Sequence, residues 1–189
     1  MTDEIRVNDP STLRALAHPL RLKIIGELRT RGPMTVGHLA TALAAAPGSI
    51  SYHLATLATH GFVSPAPDLA RDARERWWRA TADTTHYDPA EMQADDDQRE
   101  ASWAFRRTIV QSYEAELLDQ LDREAGDAPE WIEAATLGDT VSWLTASEAA
   151  ELRREVEALA ARWSRRGHDR RDDADVRPVR FIYASFGRR

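Results

Sequence analysis

Residues 47–60 read PGSISYHLATLATH. Ile50, Leu54 and Leu57 recur there at i, i+4 and i+7, which is one face of a helix. Ser49, Ser51, Tyr52, His53 and Thr56 then fall on the outward side of that helix. Hydroxyl groups of these types bond phosphate oxygens, and Ser and Thr also reach base edges. The chemistry on offer is therefore non-covalent contact with a nucleic acid. A plainer reading makes Tyr52 and His53 ordinary surface residues and leaves Ser49 and Ser51 to satisfy helix-end amides. A second set, Arg71, Arg74 and Arg76, precedes Trp77-Trp78. Guanidinium groups on a loop can hold phosphates or enter a minor groove. Asp68, Asp72 and Glu75 in the same loop dilute that charge, and a solvated loop tip is the alternative.

Other site chemistries find little support. The chain has no cysteine, which removes disulfides, thiolate metal sites and cysteine nucleophiles. Nucleophile–base pairs, paired carboxylates in a recognisable setting, a phosphate-binding glycine loop and HExxH are all lacking, so no catalytic residue and no enzymatic activity are expected. His86, Asp88 and Glu91 are one histidine and two scattered acids in a loop, a weak basis for a metal site. No cofactor and no metal are expected. No apolar run approaches the roughly 20 residues of a membrane helix. MTDEIRVNDP has neither a basic start nor an apolar stretch, so a cytoplasmic protein is expected.

Charge separates the two halves. The net charge over 189 residues is −6. Residues 1–90 carry ten basic and nine acidic residues, a net of +1, and residues 91–189 carry fifteen and twenty-two, a net of −7. Contact with DNA, if made, belongs to the N-terminal half. Lys23 is the single lysine against 24 arginines, a bias that fits genome base composition.

The N-terminal half reads as short helices. Asp9-Pro10-Ser11 looks like a helix start, with Asp9 as cap and Pro10 in the first position. His18-Pro19 interrupts, because proline disfavours helix in the residue before it. A second helix follows to about Arg31, with Leu20, Ile24, Ile25 and Leu28 at helical spacing. Gly32-Pro33 ends it. Thr35 caps a third helix whose Val36, Leu39, Ala40 and Leu43 face inward. A turn over 44–48 leads to the helix at 47–60, and Gly61 is placed to end that helix in the left-handed region. Phe62 to Ala66 and Arg76 to Thr81 are strand candidates. Of Trp77 and Trp78, one is expected in the core and the other against a neighbouring helix.

LRALAHPLRLKIIGEL, SISYHLATLATHGFV and RERWWRAT together resemble the winged helix-turn-helix domain of the ArsR family of bacterial repressors. The resemblance covers roughly residues 10–82. It implies a homodimer on a partly palindromic double-stranded DNA operator, with helix 47–60 in the major groove and the 63–81 wing on the backbone or minor groove. By position it implies DNA contact at Ser49, Ser51, Tyr52 and His53, and backbone contact by the Arg71–Arg76 wing. His18 matches the family's Ala-His-Pro turn. Metal-sensing members carry cysteines or Asp/His and His/Glu pairs that this chain lacks, and shorter members end soon after the wing.

The remaining hundred residues read as one long helix and a small subdomain. Residues 98–124 carry a stripe of Trp103, Val110, Tyr113, Leu117 and Leu121, widened by Phe105, Ile109 and Leu118, expected to pack across a dimer. Residues 137–144 and 176–186 alternate like strands. Thr145-Ala146-Ser147-Glu148 fits a capping box, and Ala149, Leu152, Val156, Leu159 and Trp163 repeat at alternating three and four. Trp131, Trp143, Trp163, Phe181, Tyr183 and Phe186 are expected to build a core, with an effector pocket as the alternative.

The expected fold is mainly α with small β elements: an N-terminal winged helix-turn-helix (1–85), a linker (86–97), then a long dimerisation helix and a small C-terminal α+β subdomain (98–189). The expected function is a sequence-specific, DNA-binding transcriptional regulator, a dimeric repressor with a possible small-molecule effector. The acidic total charge leaves one alternative, a winged-helix protein-interaction module that does not bind DNA.

Overall fold

A computed structural model of the chain describes residues 4–70, 75–167, 170 and 173–188. It divides into two units, residues 1–118 and 119–189.

The first unit is built on three short helices and the helix they support. α1 (Pro10–Leu16) starts at Asp9, whose carboxylate accepts the Thr12 N–H at 2.9 Å. α2 (Pro19–Arg31) starts at His18, whose Nδ1 accepts the Leu20 N–H at 3.1 Å. α3 (Val36–Ala42) is capped by Thr35, which accepts the His38 N–H at 3.1 Å. The turn to α4 (Pro47–Thr59) places Ala44 in the left-handed region at φ 48°. There the Ala45 N–H reaches the Ala40 carbonyl at 3.0 Å and the Ala44 N–H that of Thr41 at 3.4 Å. These bonds satisfy carbonyls that the end of α3 would otherwise orphan. Gly61, at φ 75°, does the same after α4: its N–H reaches Ala58 and that of Phe62 reaches Leu57. Phe62 and Leu57 are themselves fully buried, completing the hydrophobic contact of this cap.

Leu13, Leu16, Ile24, Ile25, Leu28, Leu39, Ile50, Leu54, Leu57 and Phe62 form the core of this unit. The apolar positions expected for α2 and α4 face it, Leu20 as a partly buried side chain packed against it.

Two small sheets complete the unit. β2 (Met34–Thr35), β4 (Trp77–Ala80) and β3 (Val63–Pro65) form an antiparallel sheet in the order β2-β4-β3, so the expected hairpin is present with one added edge. Trp78 packs on the core and Trp77 meets the His38 ring of α3 edge-on at 5.3 Å, the division expected of the two tryptophans. The second sheet has no signal in the local sequence. β1 (Glu4–Val7) pairs in parallel with β5 (Thr84–Tyr87), with Glu4 opposite Thr84 and Val7 opposite Tyr87. Arg29 of α2 donates to the Ala82 carbonyl at 2.9 Å and to Thr85 Oγ1 at 2.8 Å, tying this sheet to the helices. The stretch expected as a linker therefore contains the end of β5 and a 3-10 turn, Pro89–Met92, whose Met92 is buried.

α5 (Asp96–Arg123) has two apolar faces rather than one wide stripe. Ala101 and Phe105 are buried, with Ile109 packed beside them and Tyr87 meeting Phe105 edge-on at 5.4 Å. Trp103, Val110, Leu117 and Leu121, with Leu118, remain exposed, and Tyr113 lies between the two faces, half-buried. Phe105 and Ile109 thus belong to this unit's core and do not widen the outer stripe. At 3.6 residues per turn, Phe105 falls roughly opposite Trp103.

The second unit holds α6 (Pro129–Ala134) and α7 (Ala146–Gly167). The capping box forms as expected: the Thr145 N–H and hydroxyl both donate to Glu148 Oε2 at 2.7 Å. No strand occurs at 137–144 or 176–186; both stretches lack regular secondary structure. Every strand among the described residues lies within 4–87. Alternating side chains make a strand only when another strand accepts its backbone bonds, and here none is paired with them. Arg177 joins the tail to Asp127 at 3.0 Å and to the Trp131 ring of α6 at 4.9 Å. No described residue of 119–189 is buried, and Trp143 is 96% exposed. Of the aromatics expected to build a core, Trp143, Trp163, Phe181, Tyr183 and Phe186 are exposed and Trp131 is only half-buried.

Candidate nucleic-acid interface

α4 is held from beneath by Ile50, Leu54 and Leu57, each fully buried. Its first two turns present Tyr52, 67% exposed, and Ser51, also exposed, with Ser49 and Thr56 half-buried beside them. Thr56 donates its hydroxyl to the Tyr52 carbonyl at 3.2 Å. The helix begins at Pro47, and no side chain caps its start. Its first amide groups thus stand at the same end as Ser49 and Ser51, where an anion is favoured by the helix dipole.

His53 departs from the expectation. It is 7% exposed and turns inward, so it is removed from the outward set. Its position adjoins Ile50 and Leu57 on the helical wheel, at i−3 and i+4, and His18 at the start of α2 packs against it. The two imidazole centroids are 4.3 Å apart, and the Tyr52 ring meets His53 edge-on at 5.2 Å. Burial holds His53 below the ordinary histidine pKa, and the neighbouring His18 and Arg21 add to the effect. Burial and then Arg21 do the same to His18. Arg21 is the residue that sequence reasoning missed. It is part-buried, donates from Nη2 to the Arg14 carbonyl at 3.1 Å, and lies close enough to Tyr52 to feel its hydroxyl. A signal for it exists in the spacing: Arg21 follows His18 by three residues, which sets both on one side of the start of α2.

Of the wing arginines, Arg71 and Arg74 lie outside the described residues. Arg76 is exposed at the start of β4, next to the 3-10 turn Pro67–Leu69. Asp68 in that turn pairs with Arg79, which lowers the Asp68 carboxyl pKa. This acid is thus already engaged by a strand arginine. His86, Asp88 and Glu91 do not assemble: among the described residues no group of three or more such side chains is placed to hold a metal ion. No helix among the described residues is long and apolar enough to cross a membrane.

Residues 16–65 match the family described as "Helix-turn-helix domain". That span runs from the end of α1 to β3 and includes the whole α3-turn-α4 unit. No curated protein matches the chain. Among solved structures, reduced HlyU from Vibrio cholerae is similar at 21% identity over 51% of this chain and 83% of that one, with a TM-score of 0.32. The transcriptional regulator PA4135 is similar at 19% identity over 59% of this chain and 79% of that one, with a TM-score of 0.34. The domain match and the geometry of α3 and α4 meet on the same residues: this chain contains a helix-turn-helix domain, which supports a DNA-binding regulator.

Proposed function

We propose that this chain is a sequence-specific transcriptional regulator, a repressor of the ArsR type that binds double-stranded DNA in the cytoplasm as a homodimer. The observation that carries the reading is the division of α4: an apolar face buried under the helix-turn-helix and a hydroxyl-bearing face left open at its N-terminal end. In this reading α4 enters the major groove and Ser49, Ser51, Tyr52 and Thr56 meet bases and phosphates. Arg76, with Arg71 and Arg74, holds the backbone from the wing. The exposed stripe of α5, Trp103, Val110, Leu117 and Leu121, supports dimerisation, since an apolar row of this length is costly to leave in water. The protein acts by binding rather than by catalysis. A small-molecule effector enters this scheme only if it binds DNA-competent and incompetent dimers differently.

The test is titration of the purified protein against DNA from its own upstream region, at two salt concentrations, with a random duplex as control. Salt-sensitive binding that prefers the upstream DNA by about a thousandfold establishes an operator. Salt-independent or absent binding rejects the reading in favour of a module that docks on protein.

A further inference from the structure

α7 carries a row of apolar side chains, none of which is buried. Ala149, Leu152, Val156, Leu159 and Trp163 alternate at three and four residues, the spacing of a coiled-coil seam. Leu152, Leu159 and Trp163 are exposed and no residue of the helix is buried. The charges along the helix run from one sign to the other. Glu148, Glu151, Glu155 and Glu157 stand in its first part, offset only by Arg153 and Arg154, whereas Arg162, Arg165 and Arg166 close it.

We infer that α7 pairs antiparallel with α7 of a second copy of this chain. A two-fold interface must be self-complementary, and a helix that is acidic at one end and basic at the other matches itself only when reversed. A parallel pair would instead crowd six arginines at one end. The reversed arrangement also opposes the two helix dipoles favourably. One register satisfies both seam and charge. Leu152 faces Trp163 of the second copy, Val156 faces Leu159, and Ala149 leaves room for the stem of Arg166, which here lies on the Trp163 ring at 4.9 Å. In that register Glu155 on the flank meets Arg162 of the second copy, twice by symmetry. The interface is separate from the α5 stripe and does not depend on DNA binding.

The chain has no cysteine, so introduced thiols report the arrangement directly. The full-length variants Leu152→Cys and Trp163→Cys are oxidised mildly, alone and mixed, and resolved without reductant. The expected result is a covalent dimer in the mixture and little in either variant alone. Self-linking of each variant alone would mean parallel pairing, and no link in the mixture would mean that the tail at 176–186 or another protein covers the seam. Either result overturns the inference. Glu155→Arg, on an exposed flank that leaves the seam intact, is expected to lower the mixed yield by about fivefold. Adding Arg162→Glu is expected to restore it. Failure of that rescue, with helix content unchanged by circular dichroism, overturns the register.

Discussion

The imidazole of His53 in α4 lies on that of His18 at the start of α2, with ring centroids 4.3 Å apart. His18 Nδ1 accepts the Leu20 N–H, a bond that only the neutral ring can make at that nitrogen. Arg21 stands close to both rings, and Tyr52 closes the far side of His53. The pair therefore ties α4 to the start of α2.

Stability should consequently depend on pH in one direction. Both histidines have a lowered pKa in the folded chain, so the unfolded chain binds more protons below about pH 6.5. The contribution is complete above that pH and shrinks as pH falls through and below it. Urea midpoints measured from pH 8 to pH 5 should drop over the acidic part of the range, and His53→Leu should flatten that part of the curve. An equal slope in the variant would show that other groups set it.

Tyr52 is 67% exposed, so its removal should leave the fold intact. Tyr52→Ala is expected to weaken operator binding about tenfold or more, roughly 1.4 kcal/mol. Thermal unfolding of the same variant should be unchanged. Wild-type affinity in the variant would remove Tyr52 from the interface.

Arg76→Ala should weaken binding to specific and random DNA alike and reduce the slope of log affinity against log salt by about one. Loss confined to the specific duplex would instead assign Arg76 to base reading.

Two positions with positive φ should respond oppositely to exchange of Gly and Ala. Gly61 has φ 75° and open space where a Cβ would stand, so Gly61→Ala carries a backbone penalty alone, about 1 kcal/mol. Ala44, at φ 48°, already bears such strain, and Ala44→Gly should be neutral or stabilising by up to about 1 kcal/mol. Denaturant unfolding of the two variants checks both signs.

On α5, Leu117→Glu combined with Leu121→Glu should reduce self-association through that stripe without unfolding the helix, since neither side chain belongs to the core. Light scattering over a range of concentrations measures it. An unchanged mass with both substitutions would place the contact elsewhere.

Local periodicity and turn chemistry are enough to determine much of the N-terminal half. Asp9, Thr35 and Gly61 mark helix ends through groups within a few residues of them, and Ile50, Leu54 and Leu57 define one face by spacing alone. The helix-turn-helix and its exposed hydroxyl row are therefore written in short-range sequence. What needed the tertiary structure depends on neighbours distant in the chain. His53 turns inward because His18, thirty-five residues earlier, receives it. β1 and β5 pair across nearly eighty residues, a register that no local signal specifies. α5 reads as one broad stripe, but packing against this unit's core takes Phe105 and leaves Trp103 outside. Residues 137–144 and 176–186 show the converse. Their alternation suits a strand, yet strand formation requires a partner's amides and carbonyls, and none of the strands among the described residues pairs with them.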